Sequence, residues 1–206
     1  MVDILSFLSL FSFSLFFLSF SLLSFNKVMG GKSTSTFSID GTNKVGVFNG
    51  TCAIVPFLHA PGFAKVSTSG WFNKFADVSS HLSGGIEMRV KSNQPTYAGY
   101  KVAFGAKGIP RKTHGAGSFK AGFNLTDTTD FQVVHIPFDT FSYDWSEFTG
   151  RCDTKDPNGE QHHCCSTDPT KCPTKAFLAT ITTIEVWAEG AVGLFELEID
   201  YIGASD

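Results

Sequence analysis

The residues best suited to chemistry lie close together in one segment of the chain. Between residues 152 and 172, two adjacent histidines, His162 and His163, stand among four of the five cysteines: Cys152, Cys164, Cys165 and Cys172. Thiolate sulfur and imidazole nitrogen are ligands that zinc prefers, but zinc sites usually space their cysteines as C-x2–4-C pairs, which this segment lacks. Disulfides would instead order the segment and contribute about 2–4 kcal/mol each. We therefore predict disulfides, with free thiols and a metal site as the alternatives.

The pairing of these cysteines is only partly restricted by the sequence. Adjacent cysteines rarely bond to each other, so a bond between Cys164 and Cys165 is not expected. A bond from Cys172 to Cys152, or to one of the adjacent pair, would close a short loop. The remaining cysteine, Cys52, lies in an apolar stretch and is predicted to be a small buried side chain.

Three carboxylates near the end of the chain form a second candidate site. Glu196, Glu198 and Asp200 alternate with apolar residues, so a strand would place all three on one face. Clustered oxygens suit Ca²⁺, and paired carboxylates are used in glycoside hydrolysis. Such spacing is more typical of the solvated side of an amphipathic strand. We predict no catalytic residue, no metal and no cofactor here, with structural calcium as the alternative.

Paired glycines near the start of the polar sequence form a third candidate site. The motif consists of Met29, Gly30, Gly31, Lys32 and Ser33. Glycine permits a ligand or partner to approach the backbone closely, although a tight entry into a strand, with Met29 in the core, has the same pattern. The motif is not a phosphate-binding loop, because it lacks the G-x-x-x-x-G-K-[ST] spacing.

Other patterns also argue against an enzyme. Ser118 follows Gly117 but lacks the closing glycine of the nucleophile motif G-x-S-x-G. The same stretch fails the dinucleotide pattern G-x-G-x-x-G because Lys120 stands where the last glycine should be. The aromatic residues suited to stacking on a sugar are also typical of a packed core: Trp71, Tyr97, Tyr100, Tyr143 and Trp145.

Two N-glycosylation sequons begin at Asn49 and Asn124. These asparagines can be glycosylated only if the chain enters the secretory route. Asn49 and Gly50 also form a favoured hairpin pair, so we predict a turn there with an accessible asparagine.

Composition argues against a nucleic-acid partner and confines any membrane contact to one segment. The formal net charge is −3 and the basic residues are scattered, so no nucleic-acid interface is predicted. Residues 4–25 contain only Leu, Ser and Phe apart from Ile4. This segment is either a signal peptide or anchor, a membrane span, or the translation of a pyrimidine-rich tract at a mispredicted start. Membrane contact is expected only through residues 4–25, and only if they are present in the mature protein.

The rest of the chain, residues 26–206, shows the period-2 alternation of β-strands and little helical periodicity. Ile86, Met88 and Val90, for example, alternate with charged residues. Eight or nine such strands, separated by turn residues, predict an all-β antiparallel sandwich of the jelly-roll type. The alternation stops between residues 149 and 175, which we predict to be a long Cys-rich loop inserted before the last two strands.

Four blocks resemble one known family. They are VMGGKSTSTF (28–37), APGFAKV (60–66), DVSSHLSGGIEMRVKS (77–92) and FELEIDYIGA (195–204). Together they resemble the complex I intermediate-associated protein 30 family over residues 26–204. The usual Asn-Asp pair before the first block is replaced by Phe25 and Asn26, and the Cys-rich loop is not part of the family core.

The resemblance implies a galactose-binding-like sandwich and a non-catalytic, protein-binding role as an assembly factor or chaperone on a complex I intermediate. The alternative is a secreted or lumenal carbohydrate-binding module stabilised by disulfides, so the partner is expected to be a protein or a glycan. The clustered cysteines favour the secretory route or an oxidising organelle lumen. The resemblance implies a mitochondrial location instead.

Overall fold

The computed structural model describes residues 20–21, 32–56, 58–68, 75–110, 117–126 and 129–206. Three residues of the paired-glycine motif lie outside this part of the chain: Met29, Gly30 and Gly31. Trp71 and nearly all of the Phe/Leu/Ser segment also lie outside it.

The described residues form twelve strands with short helical turns between them. The strands are β1 (Phe20–Ser21), β2 (Thr34–Asp40), β3 (Val45–Cys52), β4 (Ile54–Val55), β5 (Ala60–Pro61), β6 (Phe63–Thr68), β7 (Gly85–Lys91), β8 (Tyr100–Ala106), β9 (Phe119–Gly122), β10 (Gln132–Pro137), β11 (Ile181–Glu189) and β12 (Gly193–Ser205). One α-helical turn, α1 (Lys175–Leu178), precedes β11, and 3₁₀ turns occur at Ser79–His81, Phe138–Thr140 and Pro169–Lys171.

Two five-stranded antiparallel sheets confirm the predicted β-sandwich. Sheet A has the order β1-β6-β11-β8-β9 and sheet B the order β10-β7-β12-β3-β2, while β4 and β5 form a separate two-stranded ribbon. Most connections cross from one sheet to the other, but β2 and β3 pair within sheet B, and β8 and β9 pair within sheet A. The Cys-rich loop, predicted at residues 149–175, is longer in the structure: residues 138–180, between β10 and β11, contain no strand and carry all the clustered cysteines.

The core lies between the inner faces of the sheets and is rich in aromatic side chains. Its largest fully buried members are Phe48, Tyr100, Phe104, Phe119, Phe138, Phe141 and Phe195. Ile86, Met88 and Val90 of β7 point into this core, as the alternation predicts. Because each buried side chain of this size contributes roughly 1.5–3 kcal/mol, the hydrophobic effect is the main source of stability.

The predicted turn at Asn49 and Gly50 is wrong. Both residues lie inside the continuous strand β3, and the chain turns earlier, between Asp40 and Val45. The carboxylate of Asp40 accepts hydrogen bonds from the backbone N–H groups of Thr42 and Asn43, which stabilises that turn. Gly50 serves another purpose: an added Cβ would lie 2.0 Å from the carbonyl oxygen of Thr34.

We expect Gly50→Ala to lower the free energy of unfolding by about 1–3 kcal/mol, because the new methyl group overlaps β2 and the ring of Phe195. Gly203→Ala in β12 is the matched control, since its added Cβ meets nothing within 4 Å. It should change stability by no more than about 0.5 kcal/mol. Urea unfolding of both variants measures the difference, and equal effects would contradict this account of Gly50.

The alternation predicted for the last strand holds only as far as Ile199. Phe195, Leu197 and Ile199 are buried, but Tyr201 is 36% exposed. The register between β12 and β7 shifts between Ile199 and Tyr201, and the extra residue turns the following side chain to the other face. The hydroxyl of Tyr201 donates to Glu87 at 2.6 Å.

Candidate functional site

Two disulfides restrain the Cys-rich loop. Cys152 bonds to Cys164, and Cys165 bonds to Cys172. The prediction of disulfides is thereby confirmed, with Cys165 as the partner of Cys172, and none of the four sulfurs is a thiolate able to bind zinc. Cys52 is a free, fully buried thiol, as predicted.

The beginning of the same loop packs on the outer face of sheet A. Ser142 exchanges backbone hydrogen bonds with Lys120 of β9, and the indole N–H of Trp145 donates to the carbonyl oxygen of Ser118 at 2.9 Å. Gly150 has φ +64°, and a Cβ there would lie 1.9 Å from the carboxylate of Glu189. Only glycine permits this close approach of the loop to the sheet.

A buried lysine lies where the loop meets the sheet. The Lys120 side chain is 0% exposed, and its Nζ lies 2.7 Å from Oε2 of Glu189. The same ammonium group lies 3.5 Å from the ring centroid of Trp145 and 3.6 Å from that of Trp187. The cation is therefore held between two indole rings, an arrangement that gains energy from the negative faces of the rings.

Further charged groups surround this lysine on the outer face of sheet A. Lys65 pairs with Glu185 at 2.8 Å, and Glu185 also accepts the indole N–H of Trp187 at 2.9 Å. Lys101 is buried beside them. Burial lowers the pKa of Lys101, and it lowers that of Lys120 to about 8 against the opposing effect of the Glu189 charge.

Sequence reasoning missed this cluster. Lys101 and Lys120 occupy outward positions of strands, where charged residues usually meet solvent. A signal was present, because Lys120 is the one charged residue within the short strand β9, which is otherwise free of polar side chains. The covering loop, which only the tertiary structure shows, converts this outward face into a second buried layer.

The aromatic residues considered for sugar stacking do not form an exposed platform in the described part of the chain. Tyr97 and Tyr100 are buried in the core. Tyr143 is partly buried against the edge of Phe119, and Trp145 covers Lys120.

The three carboxylates of β12 each contact a different partner on the outer face of sheet B. Glu198 pairs with Lys91 at 3.1 Å. Asp200 pairs with Arg89, and Glu196 accepts a hydrogen bond from the side chain of Asn93. The three side chains therefore form a row of separate pairs along the strand and do not converge on one point.

The remaining candidate residues lie at structural positions. Ser33 is buried, and its Oγ accepts a hydrogen bond from the backbone N–H of Ala53 at 3.2 Å. Asn49 is half-buried within β3 and contacts the hydroxyl of Thr36, so the expectation of an accessible turn is wrong. Asn124 is exposed after β9.

None of the helices in the described part of the chain has the length and apolar character needed to span a membrane.

The described residues thus define an antiparallel β-sandwich with one outer face covered by a disulfide-bonded loop. The family model for complex I intermediate-associated protein 30 (CIA30) matches residues 21–156. The match spans more than half of the chain, and the protein belongs to this family. It ends within the Cys-rich loop, before β11 and β12. Membership supports a non-catalytic binding module.

Comparison with solved structures found similar chains at low identity. A family 11 carbohydrate-binding module from Clostridium thermocellum, in complex with a β-1,3-1,4-mixed-linked tetrasaccharide, is 15% identical with a TM-score of 0.44, covering 88% of each chain. A family 30 carbohydrate-binding module is 16% identical with a TM-score of 0.44, covering 86% of this chain and 80% of that one. PfGH50B and an exo-β-agarase have TM-scores of 0.46 and 0.43, and this chain spans 22% of the length of each. No curated protein sequence matched the chain.

Proposed function

We propose that the protein is a protein-binding assembly factor or chaperone, and that its partner is a complex I assembly intermediate bound by the outer face of sheet B. One observation carries the choice of surface. The outer face of sheet A is covered by the Cys-rich loop, whereas the outer face of sheet B is covered by no described segment and carries exposed apolar side chains.

This open face combines apolar and charged groups. Leu194 is 63% exposed and Val133 57% exposed. Val133 lies opposite Arg89, which in turn lies opposite Tyr201, so these three residues form a row across β10, β7 and β12. Exposed apolar side chains surrounded by polar groups are typical of surfaces that bind proteins.

The charges on the face favour a basic partner. Arg89 and Lys91 are paired with Asp200 and Glu198, whereas the partner of Glu196 within the described residues is the amide of Asn93. Glu87 likewise contacts the hydroxyl of Tyr201. A partner carrying lysine or arginine around an apolar centre would complement this pattern.

A glycan partner has less support from the geometry. Sugar recognition generally uses exposed aromatic rings, whereas Trp145, Trp187 and two of the four tyrosines of the described segments are buried. Tyr201 is the exposed tyrosine among them, and it stands alone as an exposed aromatic side chain of these segments. Retention on a glycan column is therefore the contrary outcome in the experiment below.

We expect the protein, captured in native form from its own source, to retain respiratory-chain subunits identified by mass spectrometry. The double variant Val133→Asp/Leu194→Asp should lose them, because it places a charge at an exposed apolar position near each end of the face. Ile54→Asp is the matched control, since Ile54 is also exposed but belongs to the β4–β5 ribbon. Equal recovery with the double variant would exclude this face. Absence of respiratory-chain subunits, together with retention of the wild type on a glycan column, would overturn the proposed function.

A further inference from the structure

Three potential metal ligands meet at the far end of the Cys-rich loop. Ligand atoms of Asp156, Glu160 and His162 all lie within 4.8 Å of one another. A tight turn brings them together: the N–H of Asp156 donates to the carbonyl of Glu160, and that of Gly159 donates back to Asp156, both at 2.8 Å. The backbone N–H of His162 donates to the carbonyl oxygen of Thr154, on the other side of the turn, at 2.9 Å.

Burial distinguishes this group from an ordinary cluster of surface carboxylates. His162 is 2% exposed and Asp156 is also buried, while Glu160 is exposed at the rim. Nε2 of His162 lies 3.0 Å from Oδ2 of Asp156. One imidazole nitrogen thus faces a carboxylate oxygen in a site closed on its inner side.

An independent observation concerns the other nitrogen of the same ring. Nδ1 of His162 lies 2.9 Å from Oδ1 of Asp144, a residue outside the turn. The second oxygen of Asp144 accepts the backbone N–H of His163 at 3.1 Å, which fixes the carboxylate in place. Histidines that bind metals almost always donate their other N–H to such a carboxylate or to a carbonyl.

The two nitrogens of the ring face carboxylates on opposite sides. With Nδ1 turned to Asp144, Nε2 faces Asp156 and lies near Glu160. One nitrogen and two carboxylates therefore converge on one point, and a divalent cation placed there would be attracted by both carboxylates.

We propose that His162 Nε2, Asp156 and Glu160 bind a divalent transition-metal ion, zinc foremost, and that Asp144 orients the histidine. Nitrogen and carboxylate oxygen are ligands that zinc accepts in tetrahedral sites, with a fourth position for water or a partner's side chain. Because Glu160 is exposed, its side chain can rotate to shorten the present spacing. Through His162 and Asp144, the ion would link the tip of the loop to the segment around Asp144, which neither disulfide connects.

The test uses the full chain with both disulfides intact, stripped by a chelator and titrated with zinc by calorimetry, and with Co²⁺ followed by its visible absorption. We expect one ion per chain and the absorption of tetrahedral cobalt. Asp144→Asn should weaken binding by about 10–100-fold, as losses of orienting carboxylates do. His162→Asn should abolish binding.

His163→Asn is the matched control, because His163 is adjacent and exposed but lies outside the ligand set. It should bind zinc like the wild type. Glu160→Gln keeps the test valid if the buried variants fail to fold, since Glu160 is exposed, and it should weaken binding by more than about tenfold, because it removes a ligand rather than an orienting group. Failure of the oxidised wild type to bind one ion, or equal affinity in Glu160→Gln and His163→Asn, would overturn the proposal and leave His162 as a hydrogen-bonded link between the two aspartates.

Discussion

Replacing Lys120 with methionine should lower the free energy of unfolding by about 3–5 kcal/mol at neutral pH, the cost of leaving one charge of a buried pair without its partner. In the wild type, Lys120 and Glu189 are both almost fully buried and lie 2.7 Å apart. The substitution also removes the cation between Trp145 and Trp187, so the loop loses a contact with sheet A. Urea unfolding followed by tryptophan fluorescence measures the loss.

Two further variants separate the charge effect from packing. The double variant Lys120→Met/Glu189→Gln should recover most of the loss, because removing both charges of a buried pair is often neutral or stabilising. Lys65→Met is the matched control: it breaks the pair with Glu185, whose side chains are 18% and 11% exposed, and should cost about 1 kcal/mol. A double variant as unstable as the single one would contradict the role assigned to the charge pair.

The pH dependence of stability gives an independent measure of the same group. The pKa of Lys120 falls from its ordinary 10.5 to about 8 in the folded chain, because burial disfavours the charged form. Below pH 8 both states hold the proton. Between pH 8 and 10.5 the unfolded chain binds more protons, so the stability contributed by this position rises with pH. The stability difference between wild type and Lys120→Met should therefore widen across this range.

The second large effect concerns the disulfide between Cys152 and Cys164. Replacing both cysteines with serine should cost about 2–3 kcal/mol, since the bond restrains a short loop in the unfolded chain. The bond lies next to Gly150 and Arg151, which contact Glu189 and Ser146 beside Trp145, so the variant should show faster hydrogen exchange of the Trp145 indole. Exchange measured by NMR, together with urea unfolding, tests both expectations.

The remaining cysteines provide the controls for this experiment. Loss of the Cys165–Cys172 bond, which lies farther along the loop, should destabilise the protein but leave the Trp145 indole protected. Cys52→Ala keeps both disulfides and shows whether removing a cysteine that is not bonded changes the exchange of the indole. If the Cys152→Ser/Cys164→Ser variant keeps the indole protected, the contacts of the loop with sheet A are independent of its disulfide.

Local patterns in the sequence were sufficient to predict the class of fold and most of the residues that face the core. Period-2 alternation identified β7, β8 and β11, because the residues that face the core between the two sheets recur at every second position of a strand. The interruption of that alternation located the Cys-rich loop, and the resemblance of four short blocks identified the family that the matched residues confirm. Bonded cysteines were also predicted, since their density in one irregular segment has few other uses.

The candidate sites depended on contacts between residues far apart in the chain, which local patterns do not contain. The turn expected at Asn49 became continuous strand because the Asp40 side chain stabilises an earlier turn and β2 pairs along all of β3. Lys120 is buried because a loop from residues 142–150 folds over the outward face of its strand, and no property of the strand itself requires such a cover. His162 acquires its carboxylate neighbours in the same way, through Asp144 on one side and a tight turn on the other. Alternation reports which side of a strand faces the core, whereas the burial of the opposite side is decided by whichever distant segment packs against it.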